Sequence, residues 1–333
     1  VVNFGLNRKF NGAKVQAQYG VSEAGDNENY RVGAAFGTDL FEGRGHWLFS
    51  AEQYDNKGML RSDRDIATQG YIYAGQTAGA GTPGSATNPY VIYKGVTLTA
   101  ASDGGKIVSG PLANQRFLPD GTLTAFNSGT ATGTPGYAVG GDGYIIPPDV
   151  TAVAPLKTQQ LFQRFDYDVA PDVRFHAQGG FTRSDLSYSS LANSFVPPTS
   201  ATIYLDNPYL KLTDAQRAQL TAAGANSISV AAYNSYAPKP HTEERTDYYT
   251  ANAGFEGDFG ADWHWNAGYV YGKSKHSVDQ SGLFNWRNAY AAIDAVRDSS
   301  GNIVCRATLS PDAAVRQRFA DCNRAAVEKR RQW

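Results

Sequence analysis

The stretch ADWHWNAGYVYGKS, residues 261–274, sets Trp263, Trp265, Ala267, Tyr269 and Tyr271 on every second position. His264, Asn266, Gly268, Gly272 and Ser274 lie between them. A strand sends alternate side chains to opposite faces, so this segment reads as a strand with one aromatic and one polar face. Two environments suit it. In a soluble sandwich the aromatic face is core; in an outer-membrane barrel it meets lipid.

The same alternation recurs in GAKVQAQYGVS (12–22), NYRVGAAFGTDL (29–40), HWLFSAEQY (46–54), QQLFQRFDYDV (159–169), VRFHAQGGFTR (173–183) and DYYTANAGFEGDF (247–259). Together these predict about seven strands of one type. Their polar faces carry Lys14, Arg31, Glu52, Arg164, Asp166, Arg174, Glu256 and Asp258, too many charges for a dry core and suited to a hydrated lumen.

The connections sort by length. LFEGRG (40–45), APD (170–172) and GAD (260–262) are short and rich in turn formers. On the other side only EAGDNE (23–28) is short; residues 55–158, 184–243 and everything after about 279 read as long loops rich in Gly, Ala, Thr and Ser. Short turns at one end and long loops at the other is the layout of an outer-membrane barrel. A structureless loop as long as 55–158 argues against a compact soluble domain. On this reading the apolar faces meet lipid, and Trp263 and Trp265 join an aromatic girdle at the periplasmic interface.

Composition sets bounds on function. The chain has 333 residues, 35 Gly, 20 Tyr, 18% charged residues and a net charge of −1, which argues against nucleic acid as the main partner. Mean hydropathy is −0.42 and no apolar run is long enough for a transmembrane helix. The chain opens on Val1 without a visible signal peptide, so a mature form or a lost N-terminal portion is expected. The two cysteines, Cys305 and Cys322, are compatible with a loop disulfide in an oxidising compartment or with two unrelated thiols. Two helices are predicted. One covers 212–224, capped by Thr213 or Asp214 and stopped by Gly224; the other covers 310–333, with Ser310 as cap and a solvated basic end, EKRRQW.

Several stretches resemble the TonB-dependent outer-membrane receptors, in particular the large group from alphaproteobacteria and xanthomonads. VVNFGLNRKFNGAKVQAQYG (1–20) resembles the end of that family's plug domain running into its first barrel strand. GRGHWLFSAEQYDNKGM (43–59) resembles its second hairpin, and RFLPDGTLTAFNSG (116–129), DNPYL (206–210) and AYAAIDAVRDSSGNIVCR (289–306) resemble loop motifs of the group. The resemblance implies an all-β fold: an antiparallel transmembrane β-barrel segment, about seven strands of a barrel of about 22, with long extracellular loops. It divides the chain into the end of a plug (1–9), N-terminal barrel strands (10–279), and an extracellular loop with an aberrant tail (280–333). It also implies a Cys305–Cys322 disulfide. The chain is then expected to be a receptor fragment, cut at both ends.

By the same resemblance, the function is energised uptake of a scarce nutrient across the outer membrane. Ferric siderophores, haem, cobalamin and oligosaccharides are the substrate classes, with carbohydrate slightly favoured. The implied partners are outer-membrane lipid, the TonB energy complex acting through the plug region, and a small nutrient ligand; no cofactor is implied. The alternatives are a passive porin-like or structural barrel, and a soluble adhesin.

No catalytic constellation stands out, so the chain reads as a non-enzyme. His46, His176, His241, His264 and His276 lack metal-ligand spacing such as HExxH. His176 and His264 both point to the predicted lumen. Asp166 and Asp168 share a face beside Arg164, which reads as an ordinary charged lumen wall rather than a carboxylate pair for catalysis. Tyr204, Tyr209, Tyr233 and Tyr236 in the long loops are the candidates for stacking on a sugar or a siderophore.

Overall fold

The structure is a computed structural model that describes residues 7–75, 83–147, 149–191, 193–235, 237–260 and 263–322. The fold is all-β and divides into two compact units. The first unit holds Val1–Asp63, Thr151–Ser189 and His241–Ser281; the second holds the three intervening and following stretches.

The first unit is one antiparallel sheet of seven strands whose spatial order is their sequence order. They are β1 (Gly12–Gly20), β2 (Asn29–Leu40), β3 (Gly45–Asn56), β4 (Leu156–Ala170), β5 (Val173–Ser189), β6 (His241–Phe259) and β7 (Trp263–Ser281). Each corresponds to one of the alternating segments. Among the described residues, β1 and β7 each pair with one neighbour, so both edges of the sheet are open.

The two faces differ as the alternation requires. Val15, Phe36, Trp47, Leu161, Phe255, Trp265 and Tyr269 project from one face and are exposed, Val15 at 76% and Tyr269 at 72%. Among the described residues of the unit, none covers this face. Aromatic pairs run across it at the short-turn end: Phe36 against Trp47 at 5.9 Å, Phe175 against Phe255 at 5.2 Å, and Phe41 edge-on to Tyr167 at 5.6 Å. Phe41 reaches Tyr167 from a turn in which Phe41, Glu42 and Gly43 all take positive φ.

Register carries more information than the faces. Leu40, Gly45, Tyr167, Phe175, Phe255 and Ala267 form one continuous row across β2 to β7. The β2–β3 turn closes at this row. The β4–β5 turn closes about two residues beyond it, near Val173, and the β6–β7 turn four residues beyond it, at Phe259 and Trp263. The turns therefore step by one residue per strand. With a rise of about 3.3 Å per residue and about 4.8 Å between strands, the strands lean by about 35° from the normal to the line of turns.

The apolar face follows the same diagonal. On β1 and β2 it reaches as high as Tyr19 and Tyr30, whose row ends at Ser277 on β7. On β6 and β7 it stops at Tyr249 and Tyr271, and the rows above carry Arg183, Asp247, Lys275, Asp185 and Arg245. Along β6 the apolar positions run from Tyr249 to Phe259, about 33 Å of strand, or about 27 Å in height once the lean is included.

β4 to β7 continue past this band with the outward face turned polar, while the other face carries Leu156, Leu186 and Val278 among polar residues. That is why the strands exceed the alternating segments: Lys157, Asp185 and Arg245 break the pattern, yet the ladder of backbone hydrogen bonds continues. The stretch predicted to start at 55 begins after Asn56 and ends before Leu156, and the one predicted over 184–243 runs from Ser190 to Pro240.

Residues 64–150, 190–240 and 282–322 are not separate loops; they fold as one compact unit. Its core gathers Ile107 and Leu112 from the first of these stretches and Leu210, Leu220, Ile228 and Val230 from the second. Short strands dominate, with Ser227–Tyr233 pairing against Ala201–Tyr204 and Lys106–Ile107. The predicted helix is present as Asp214–Ala222. Thr213 and Gln216 form a reciprocal capping box, and Gly224 follows at φ +65. The helix expected over 310–333 is shorter, Ala313–Arg318, and Asp312 rather than Ser310 accepts its first backbone N–H. Its predicted remainder over 323–333 lies outside the described residues.

Candidate functional site

The polar face of the sheet concentrates the chemistry. Asp39, His46, Asp166 and His176 stand side by side in one cross-strand row on β2, β3, β4 and β5. Arg164, one step along β4, donates from Nε and Nη2 to both oxygens of Asp166 at 2.7 and 2.6 Å, and from Nη1 to Gln178 Oε1 at 2.7 Å. Arg164 and Asp166 are 5% and 8% exposed, so this is a buried ion pair satisfied by a third group. Next to it, Arg174 Nε donates to Asp168 Oδ1 at 2.7 Å. Asp166 and Asp168 are thus each held by a guanidinium group.

His46 Nδ1 lies 2.7 Å from Asp39 Oδ1, and His176 Nε2 lies 3.2 Å from Asn252 Oδ1. The second nitrogen of each ring, His46 Nε2 and His176 Nδ1, is buried without a hydrogen-bond partner. His264 does not join them; it pairs with Asp258 at the β6–β7 turn. The histidine that shares a row with His176 is His46. Counting back from the short turn at 41–44 pairs Asp39 with His46, but the same count from the turn at 171–172 sets Asp166 opposite Ala177; an irregularity between Asp168 and Ala170 shifts the register by one and brings His176 there instead. Among the described residues no group of three acidic, histidine or cysteine side chains is arranged for a metal.

Above this row the face is concave. A groove of about 390 Å³ is lined by residues of six successive strands, among them Lys14, Gly33, Glu52, Gln160, Thr182 and Tyr248. The segment that precedes β1 lies on the same face. Arg8 Nη1 donates to Glu256 Oε1 on β6 at 3.3 Å, and Asn11 Nδ2 donates to Asp39 Oδ2 on β2 at 2.8 Å. The Phe10 carbonyl packs on Gly37, where any Cβ would overlap it. The chain therefore enters its first strand from the polar side.

The loop tyrosines are distributed differently from the expectation. Tyr233 stacks on Tyr144 with ring centroids 4.0 Å apart. Tyr204 lies under the Arg306 guanidinium at 4.7 Å. Tyr209 is exposed beside Asn207, whose Oδ1 accepts its backbone N–H at 3.0 Å. Tyr236 lies outside the described residues.

Tyr144 is 4% exposed, its hydroxyl has no hydrogen-bond partner, and burial, with a smaller contribution from Asp103, pushes its pKa up to about 12. The raised value fixes the sign of the pH dependence. The neutral phenol stabilises the fold fully below the ordinary value of about 10, and that contribution is lost as pH rises toward 12. Burial also raises the pKa of the stacked Tyr233, so absorbance titration is expected to show more than one late tyrosinate and to lose one of them in Tyr144→Phe; an unchanged titration in that variant would refute the assignment.

The chain matches no protein-family model, no curated protein and no solved structure.

Proposed function

We propose that the seven-stranded sheet is part of a transmembrane β-barrel in an outer membrane. The observation that carries this reading is the stagger of the turns. A lean of about 35° is the strand tilt that barrel closure requires, and an apolar band about 27 Å high matches the hydrocarbon height that such barrels present. A soluble sandwich has no cause to tilt its apolar face diagonally across seven strands while leaving it bare. In lipid both open edges need strands to pair with, which a barrel of the larger size implied by the resemblance supplies.

Within that class we favour a TonB-dependent receptor over a passive pore. The segment Arg8–Asn11 on the polar face supports this, since a plug leads into its barrel from the lumen. The function is then energised uptake of a scarce nutrient such as a ferric siderophore or an oligosaccharide.

Nitroxide labels at successive positions from Tyr249 to Phe259, in protein reconstituted into phosphatidylcholine vesicles, test the membrane reading. Dissolved oxygen is expected to relax labels at 249, 251, 253 and 255, and a water-soluble nickel chelate those at 250, 252 and 256. If the chelate reaches both sets alike, the sheet is not in a bilayer. Growth of the producing cell on each nutrient class, with and without TonB, then tests the transport reading.

A further inference from the structure

We propose that the rim of the apolar band on β5 to β7 binds the phosphate headgroups of anionic lipids; the inference rests on the membrane reading above. Three outward rows meet at this rim. The first is Phe181, Tyr249 and Lys273; the second is Gln159, Arg183, Asp247 and Lys275; the third is Lys157, Asp185, Arg245 and Ser277.

Five cations thus face two carboxylates, and both carboxylates are engaged. Asp247 takes two hydrogen bonds from Arg183, at 2.7 and 3.1 Å, and Asp185 takes one from Arg245 at 2.6 Å. Asp55, the neighbour of Lys157 in its row, is paired with Lys57 at 3.0 Å. Lys157, Lys273 and Lys275 make no ion pair among the described residues. The excess charge is confined to the height of these three rows, because the next row out carries Glu243 and Asp279 and reverses the sign.

That height is where a lipid places its phosphate. Acyl chains pack along Phe181, Tyr249 and Tyr271, and the headgroup begins where those side chains end. Arg183 is held there by its own stacking over Phe181, at 5.7 Å. The lysines have reach and rotational freedom to meet a phosphate from below, as basic residues bordering a membrane do. A soluble anion has no acyl chain to use the band, so the site selects a lipid.

The test is flotation of the full chain with phosphatidylcholine vesicles and with the same vesicles containing phosphatidic acid. Wild type is expected to prefer the phosphatidic acid vesicles. Lys273→Gln with Lys275→Gln, both on an exposed edge strand, is expected to reduce that preference roughly 30-fold while leaving binding to plain vesicles unchanged. Equal partition of wild type between the two vesicles overturns the proposal and leaves the membrane reading standing. A preference retained in the variant overturns it as well, and so does loss of the preference in millimolar inorganic phosphate at constant ionic strength. Failure to float with either vesicle overturns both.

Discussion

Arginine in place of Ala253 is expected to cost about 2–4 kcal/mol of folding free energy in a bilayer, and arginine in place of Tyr249 about 0–1 kcal/mol. Both side chains point to the apolar face, and both are exposed. Ala253 lies in the middle of the band, in a row with Ala177 and Tyr269, while Tyr249 lies at its upper edge beside Lys273. In water the Ala253 change touches nothing and falls within about 0.5 kcal/mol. In hydrocarbon the guanidinium at Ala253 must draw water or headgroups to the midplane, whereas at Tyr249 it extends into the interface. Urea titration of each variant folded into phosphatidylcholine vesicles measures the difference. A cost that does not depend on depth would remove the membrane reading, because depth is the one variable that separates the two sites.

The strands and their faces were legible because period-two alternation is local: Val15, Ala17 and Tyr19 declare a face without knowledge of any other strand. What joins strands was not legible in the same way. The row of Asp39, His46, Asp166 and His176 depends on where turns close, and so does the stagger that distinguishes a tilted sheet from a flat one. Strand ends were lost wherever the outward face turned polar, as at Lys157 and Asp185, since the alternation of apolar outward and polar inward positions stops there. The second unit was hidden for another reason. Its strands are often only two or three residues long, and its chain reversals rest on close backbone approaches such as Gly141 against Gly129. Its core draws Leu112, Leu210 and Leu220 from distant stretches. No window of sequence contains enough of that core to show it. The capped helix Trp286–Ile293 was missed inside a segment read only for its resemblance.

The resembling loop motifs have a physical role that leads to the other large expected effect. Arg306 binds Asp206 through Nη1 at 3.0 Å and Asp294 through Nε at 3.0 Å, and Asn207 Nδ2 donates to the Ile293 carbonyl at 2.8 Å. DNPYL and the segment ending at Arg306 therefore clasp each other. The carboxyl of Asp206 is held below its usual range by the Arg306 hydrogen bond, so the clasp is intact above the ordinary carboxylate range and weakens as pH falls through the lowered value. Beside it, the fully buried Cys305 is bonded to Cys322 across a separation of 17 residues. Closing a loop of that length removes denatured-state freedom amounting to about 3 kcal/mol. Cys305→Ala with Cys322→Ala is thus expected to raise amide exchange by on the order of 100-fold over 303–309 and 206–210, if those amides exchange through opening of the clasp. The strands of the seven-stranded sheet carry their own ladder and should keep their protection. An equal rise over 247–259 would mean that the two units unfold together. No rise in either would mean that the ion pairs hold the clasp without the covalent link, because Arg306, directly after the strand Ile303–Cys305, bridges Asp206 and Asp294.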